Sequence, residues 1–217
     1  MTNAYVDKSY VYAVTRLRYA ELRLFSQGFM EQLISAKSTG EALKLLKEKG
    51  WGDDSQENIE TMLNEERQKL WDFIDELVAD KSIFDVFILP NDYNNIKAAI
   101  KESIMTYDYP GVYISESTMN PNMIRTAIKE RTYQELPESI QAVAQDAHDL
   151  YLRTGDGQLC DIMVDKACLD AILRAGEASK DDFLKMYAEL KVVSADIKTA
   201  VRACLTGKNK DFMTMAM

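Results

Sequence analysis

Apolar residues recur at three- and four-residue steps along almost the whole chain, which is the spacing that places them on one face of an α-helix. The steps are clear from Tyr10 to Leu24 and again from Ile59 to Leu77. Only four prolines and nine glycines interrupt the 217 residues, and 47% of the residues are apolar. The pattern therefore predicts an all-α fold with a hydrophobic core.

Capping signals divide this pattern into separate helices. Ser38 and Glu41 form a capping box ahead of a short helix, which Gly50 is expected to end. Thr132 and Glu135 form a second box with the same spacing. Each box predicts that a helix begins at that point, because its side chains satisfy backbone N–H groups that the first turn leaves free.

Further helix ends follow from single residues. Gly28 is expected to end or bend the first helix, and a later helix is expected to end near Gly176. The apolar run before Pro90 fits a strand or a helix; the surrounding pattern favours a helix that ends before the proline. Asp92 and Ser179 are expected to cap the helices that follow them.

Two pairs of segments resemble each other in the same order along the chain. Residues 33–41 match residues 127–135 in their apolar pair, basic residue, hydroxyl cap and glutamate, and residues 95–101 match residues 196–202. The alternative is chance similarity between amphipathic helices. We interpret the matches as a duplicated helical unit of roughly a hundred residues.

The duplication and the Pro110-Gly111 turn together predict a partition of the chain. Residues 1–106 would form a first helical unit, residues 107–118 a linker loop, and residues 119–217 a second helical unit. The last ten residues begin a new segment without an obvious end. We therefore expect the second unit to be truncated before a third.

Charge is unevenly distributed. The net charge is −9, which argues against nucleic acid as a partner. Residues 53–92 hold twelve acidic and three basic residues, whereas the first 50 residues are mildly basic. This segregation makes Arg16, Arg23, Asp53 and Asp54 candidate partner-contact residues. The alternatives are a solvated helix face for the acids and pairing within the chain for the arginines.

The sequence offers no clear chemical site. Its single histidine, His148, is expected on a solvated helix face, and Gly155-Asp156-Gly157 lacks the flanking residues of a phosphate-binding loop. The three cysteines contain no C-x-x-C pair and are expected to be reduced thiols. We assign no catalytic residue, no cofactor and no metal. No apolar run is long enough to predict a membrane span, and no signal peptide is apparent, so we expect a cytoplasmic protein.

Several segments resemble one family, the C subunits of the archaeal and bacterial A/V-type ATPases, whose counterpart in eukaryotic vacuolar ATPases is the d subunit. The resemblance covers essentially the whole chain and depends on the order and spacing of four segments, residues 10–24, 36–43, 92–97 and 154–161. Asn94 and Trp51 stand where the family more typically has histidine and tyrosine.

The resemblance implies three related helical units arranged as a funnel-shaped socket, of which this chain would supply about two. It implies a non-enzymatic central-stalk subunit of a rotary ATPase, peripheral to the membrane. Its partners would be the soluble central-shaft subunits and the membrane rotor ring, and its task the coupling of ATP turnover to H⁺ or Na⁺ transport. An incomplete socket should expose apolar surface, so we expect self-association. The alternative is a stand-alone helical module that binds a ligand or regulates, with a cavity lined by aromatic residues and methionines.

Overall fold

The computed structural model describes residues 10–52, 58–78, 81–105, 111–208 and 210–217. Every regular element among them is helical, which confirms the predicted all-α fold. None of the described helices is long and apolar enough to cross a membrane. Contacts divide the chain into two compact units, residues 1–81 and residues 82–217.

The first unit contains four α-helices: α1 (Val11–Glu21), α2 (Gln27–Ile34), α3 (Thr39–Glu48) and α4 (Ile59–Leu77). A 3-10 turn, Lys81–Phe84, leads into the second unit and its helices: α5 (Asp85–Ile104), α6 (Pro121–Glu130), α7 (Glu138–Thr154), α8 (Gly157–Ala178), α9 (Asp182–Leu205) and α10 (Lys210–Ala216).

The first unit has a small core of four buried side chains, Phe29, Leu43, Leu46 and Met62. The first capping box is confirmed, because Ser38 Oγ accepts from the Glu41 N–H at 3.2 Å and caps α3. The prediction for Gly28 is wrong. The first helix ends at Glu21, and Gly28 lies inside α2, whose cap is Ser26.

The second unit is built around α5, which packs against α6, α7 and α8. The fully buried apolar side chains of this core include Ile96, Ile100, Ile124, Ile128, Ala144 and Val164. The predicted break before Pro90 is wrong, since α5 runs through the proline. A helical proline loses one backbone hydrogen bond, but Val86 before it and Ile96 after it are both buried in the core and hold the helix together.

Because α5 continues through Pro90, Asp92 is a buried helical residue and not a cap. It accepts hydrogen bonds from the Thr118 hydroxyl at 2.6 Å and the Met119 N–H at 3.2 Å, while burial raises its pKa. The Asn95 side chain bonds both the N–H and the C=O of Ile114. Residues 111–118, the described part of the predicted linker, and the adjacent Met119 are therefore held against α5. The partition derived from the sequence repeat remains a prediction.

The prediction that the second capping box begins a helix is also wrong. The Thr132 side chain makes no capping hydrogen bond, and a 3-10 turn, Tyr133–Glu135, follows in place of a helix. The next helix, α7, begins only after Pro137. Tyr133 is buried at this point, and its hydroxyl bonds to His148 Nδ1 at 2.7 Å, so tertiary packing overrides the local capping signal.

His148 is only 3% exposed, which corrects the expectation of a solvated surface residue. Its Nε2 lies 2.9 Å from Ser103 Oγ, and the Ser103 hydroxyl donates to the carbonyl of Ile100. Nε2 therefore carries the hydrogen that bonds Ser103, and Nδ1 accepts from Tyr133. The ring is neutral in this arrangement. Burial lowers the pKa of His148, and the positive charge of Arg131 lowers it further.

The helix that was predicted to end near Gly176, α8, ends two residues later at Ala178. A Cβ atom on Gly176 would lie 2.5 Å from the Cβ of Ala188, so this glycine permits close approach of α8 and α9. The cap of α9 is Asp181, whose carboxylate accepts from the Leu184 N–H at 3.0 Å, and not Ser179 as predicted.

We expect Gly176→Ala to destabilise the second unit. The added methyl must push α8 from α9 or strain both, at a cost of about 1–3 kcal/mol, which exceeds the gain in helix propensity of up to about 1 kcal/mol. Gly157→Ala is the matched control, because a Cβ at the start of α8 meets only ordinary contacts at 3.9 Å. Thermal unfolding followed by circular dichroism compares the two variants. Equal unfolding midpoints would contradict the close approach.

We expect His148 to make stability depend on pH. The unfolded chain binds a proton at this ring below its ordinary pKa of about 6.5, whereas the folded chain resists that proton. The contribution of His148 to the stability of the fold is therefore complete above about pH 6.5 and is lost as the pH falls below that value. From about pH 7.5 to about pH 5.5, the unfolding midpoint of His148→Gln should fall less than that of the unchanged chain. An identical pH dependence of the two proteins would refute this assignment.

Candidate functional site

The first unit carries a groove of about 910 Å³, formed by α1 with the turn after it, the end of α3 and one face of α4. Phe25 and Trp51 stack in it with ring centroids 5.0 Å apart. Leu22 and Leu24 border it and are 81% and 76% exposed. Exposed apolar residues grouped around a concavity are typical of a surface that binds a partner. We call this surface the first-unit groove.

The charges that line the first-unit groove are mostly positive. Among the residues that the structure describes, Arg16, Arg23, Lys49 and Lys69 line it, against one acid, Glu66. This excess contrasts with the net charge of −9 of the whole chain. The structure therefore brings both predicted arginines to one surface. Lys49 and Lys69 were not predicted from the sequence, because nothing in the order of residues shows that the end of α3 and one face of α4 lie beside α1.

Arg16 is already engaged within the unit. Its guanidinium makes two hydrogen bonds to the Glu76 carboxylate, at 2.6 and 3.0 Å, and a third to the Tyr12 hydroxyl at 2.7 Å. It also lies over the Phe73 ring, 5.5 Å from the centroid. The bonds from Tyr12 and Arg16 lower the pKa of Glu76. This cluster fastens α1 to α4, which is the pairing within the chain that the sequence analysis gave as the alternative.

Arg23 differs from Arg16. Its side chain is exposed and has neither an ion pair nor a hydrogen bond to any residue that the structure describes. The acid of the groove, Glu66, is bonded by Lys69 Nζ at 2.5 Å and by the Gly52 N–H at 3.1 Å. Burial opposes the charge of Glu66, but these bonds and the nearby Arg23 lower its pKa on balance. Arg23 is thus the more available of the two predicted arginines.

The predicted acidic contacts Asp53 and Asp54 lie outside the described residues. Several other acids of the block at 53–92 are used within their own unit. Glu76 binds Arg16, Glu66 binds Lys69, and Asp75 pairs with Lys81 at 2.6 Å. Much of the charge segregation seen in the sequence is therefore local pairing.

The described residues contain no group of three or more His, Cys, Asp or Glu side chains that could hold a metal ion.

Cys160 and Cys168 are buried, and burial raises the pKa of their thiols to about 11 and about 12. A thiol of such a high pKa is protonated near neutral pH and is a poor nucleophile. The Asp156 carboxylate accepts from the Gln158 and Leu159 N–H groups and caps α8.

Known proteins resemble this chain over nearly its whole length. The model of the ATP synthase (C/AC39) subunit family matches residues 13–216. The C subunit of the V-type sodium ATPase from Enterococcus hirae is 25% identical over 202 residues, which cover 91% of this chain. The chain spans 62% of the length of that relative. No solved structure matches. Because the family model covers nearly all of the sequence, the chain belongs to the ATP synthase (C/AC39) subunit family.

Proposed function

We propose that this chain is a non-catalytic central-stalk subunit of a rotary V-type ATPase. In that role it couples the soluble shaft to the membrane rotor ring, for H⁺ or Na⁺ transport linked to ATP hydrolysis or synthesis. It works on the cytoplasmic side as a peripheral part of the complex. The observation that carries the proposal is the family match across residues 13–216, and the sodium ATPase relative supports it.

We further propose that the first-unit groove contacts a soluble shaft subunit through an acidic, amphipathic segment. Exposed leucines offer an apolar face to such a segment, and Arg23 with Lys49 offers the opposite charge. Arg16 supports the groove through Glu76, while Arg23 is available to the partner. We also propose Asp53 and Asp54 as partner-contact residues, in their case to a basic surface of the partner.

Arg23→Glu should weaken co-purification with the shaft subunits, because it places an acid opposite the proposed acidic segment. We expect at least about a tenfold loss of affinity in low salt, and a smaller loss as salt screens the charges. Arg18→Glu is the matched control, since Arg18 lies on α1 close to Arg23 in sequence but outside the groove, and among the described residues it pairs with Glu21. Arg16→Glu is unsuitable because it would release α1 from α4. Equal retention of the Arg23 and Arg18 variants would refute the groove contact.

A second surface of the chain exposes a continuous apolar face along α9. Phe183, Met186, Leu190, Val193, Ile197 and Val201 are each between 50% and 62% exposed. From Phe183 to Ile197 these residues alternate in steps of three and four, the spacing of a coiled-coil seam. We propose that the isolated chain covers this face with the same helix of a second copy, because that helix supplies the matching apolar spacing.

Leu190→Glu combined with Ile197→Glu should abolish this self-association. The unchanged chain should show a mass that rises with concentration in light scattering, and the double variant should stay at the monomer mass of about 24.7 kDa. Both substituted positions are more than half exposed, so the helix itself should persist. Lys185→Glu tests whether charge alone on α9 has this effect. A strictly monomeric unchanged chain would contradict the proposal.

A further inference from the structure

The second unit contains a cavity of about 420 Å³ between α8, α9 and α10. Its volume falls within the range of about 300–1,000 Å³ that is usual for small-molecule sites. We call it the α8–α9 cavity. It lies entirely within the second unit and shares no lining residue with the first-unit groove.

One part of the cavity wall is apolar. Ile162, Leu169 and Ile172 of α8 line it, together with Ala195 of α9 and Phe212 of α10. Two of the lining residues, Ile172 and Cys168, are buried side chains of the core. An alkyl chain placed here would leave water for an apolar wall, which is favourable in proportion to the area that it buries.

The other part of the wall is strongly basic. Lys191, Lys198 and Arg202 line it from α9, seven and four residues apart, so they follow one another along that helix. Lys166 and Lys208 add two more positive charges. The one described acid in the lining is Asp165, and its carboxylate pairs with Lys97 Nζ at 2.6 Å.

The positive charges from α9 are not neutralised within the described part of the chain. Lys191, Lys198 and Arg202 form no ion pair with any residue that the structure describes. Among the described residues, Lys166 contacts the Thr214 carbonyl at 3.4 Å, and Lys208 contacts the Gln158 side-chain oxygen at 3.3 Å and lies over the Phe212 ring at 5.0 Å from the centroid; all of these groups are neutral. Five cations around one cavity, in a chain with a surplus of acids, create a local potential that attracts an anion.

From this combination we infer that the α8–α9 cavity binds an anionic amphiphile: a phosphate or carboxylate headgroup on the α9 cations, and a short alkyl chain against the apolar wall of α8. The apolar half distinguishes such a ligand from free inorganic phosphate, and the basic half disfavours a cationic detergent. The inference does not depend on the proposed role in an ATPase, because every contact lies within the second unit. The headgroup can belong to a free amphiphile or to a membrane lipid.

Titration of the full chain with decyl phosphate in a calorimeter tests the inference. We expect saturable binding of one molecule per chain and a rise in the unfolding midpoint. Inorganic phosphate and decyltrimethylammonium should each bind at least about tenfold more weakly, because each lacks one half of the ligand. Failure of decyl phosphate to bind saturably, or equal binding of either partial probe, would overturn the inference.

Variants then locate the site. Lys198→Glu combined with Arg202→Glu should weaken decyl phosphate binding at least about tenfold. Lys129→Glu combined with Lys185→Glu is the control of equal charge change at exposed lysines outside the cavity. Ala195→Leu should weaken binding by filling the cavity, with no change in charge. Equal loss in the cavity and control pairs would show nonspecific attraction and overturn the site.

Vesicles separate the two sources of the headgroup. Binding to vesicles that contain phosphatidylglycerol, lost in the Lys198 and Arg202 double variant, would assign the site to a membrane lipid. Decyl phosphate binding without vesicle binding would assign it to a free amphiphile. Vesicle binding without decyl phosphate binding would overturn the cavity site, because it would show only attraction of the surface to anionic lipid.

Discussion

The burial of one face of α5 is the interaction on which the second unit depends. Ile96 and Ile100 of α5 meet Ile124 and Ile128 of α6 and Val164 of α8, and all five are fully buried. Each such side chain contributes about 1.5–3 kcal/mol when it leaves water. This burial keeps α5 helical through Pro90. It also fixes the buried Asp92 and Asn95, which hold residues 111–119 against the helix.

The two helices that share a sequence pattern have opposite environments. In α5 the isoleucines of residues 95–101 are buried, whereas the corresponding Ile197 and Val201 of α9 are more than half exposed. The local sequence makes both segments helical and amphipathic. Only the neighbouring helices decide which apolar face is covered. The exposed face of α9 is for this reason a surface that another helix can complete.

The charge of each local surface also depends on the tertiary structure. The whole chain is acidic, yet cations outnumber acids among the described residues that line the first-unit groove and the α8–α9 cavity. Many acids are occupied elsewhere, as helix caps such as Asp156 and Asp181 or in pairs such as Glu76 with Arg16. The net charge is therefore a poor guide to the local potential, which depends on the side chains that remain unpaired. An acidic protein can in this way offer basic contact surfaces to acidic partners or ligands.

The sequence by itself determined the all-α class, the Ser38 cap and the family, because helical periodicity, capping and the order of family segments are properties of neighbouring residues. It also selected the two arginines that the fold brings to the first-unit groove. It did not determine that Arg16 would pair with Glu76, that His148 would be buried, or that Gly176 would serve close helix packing. Those outcomes depend on residues from 12 to 60 positions away. Tertiary structure decided them, because burial and pairing depend on which distant surfaces come into contact, and a local sequence pattern does not specify those contacts.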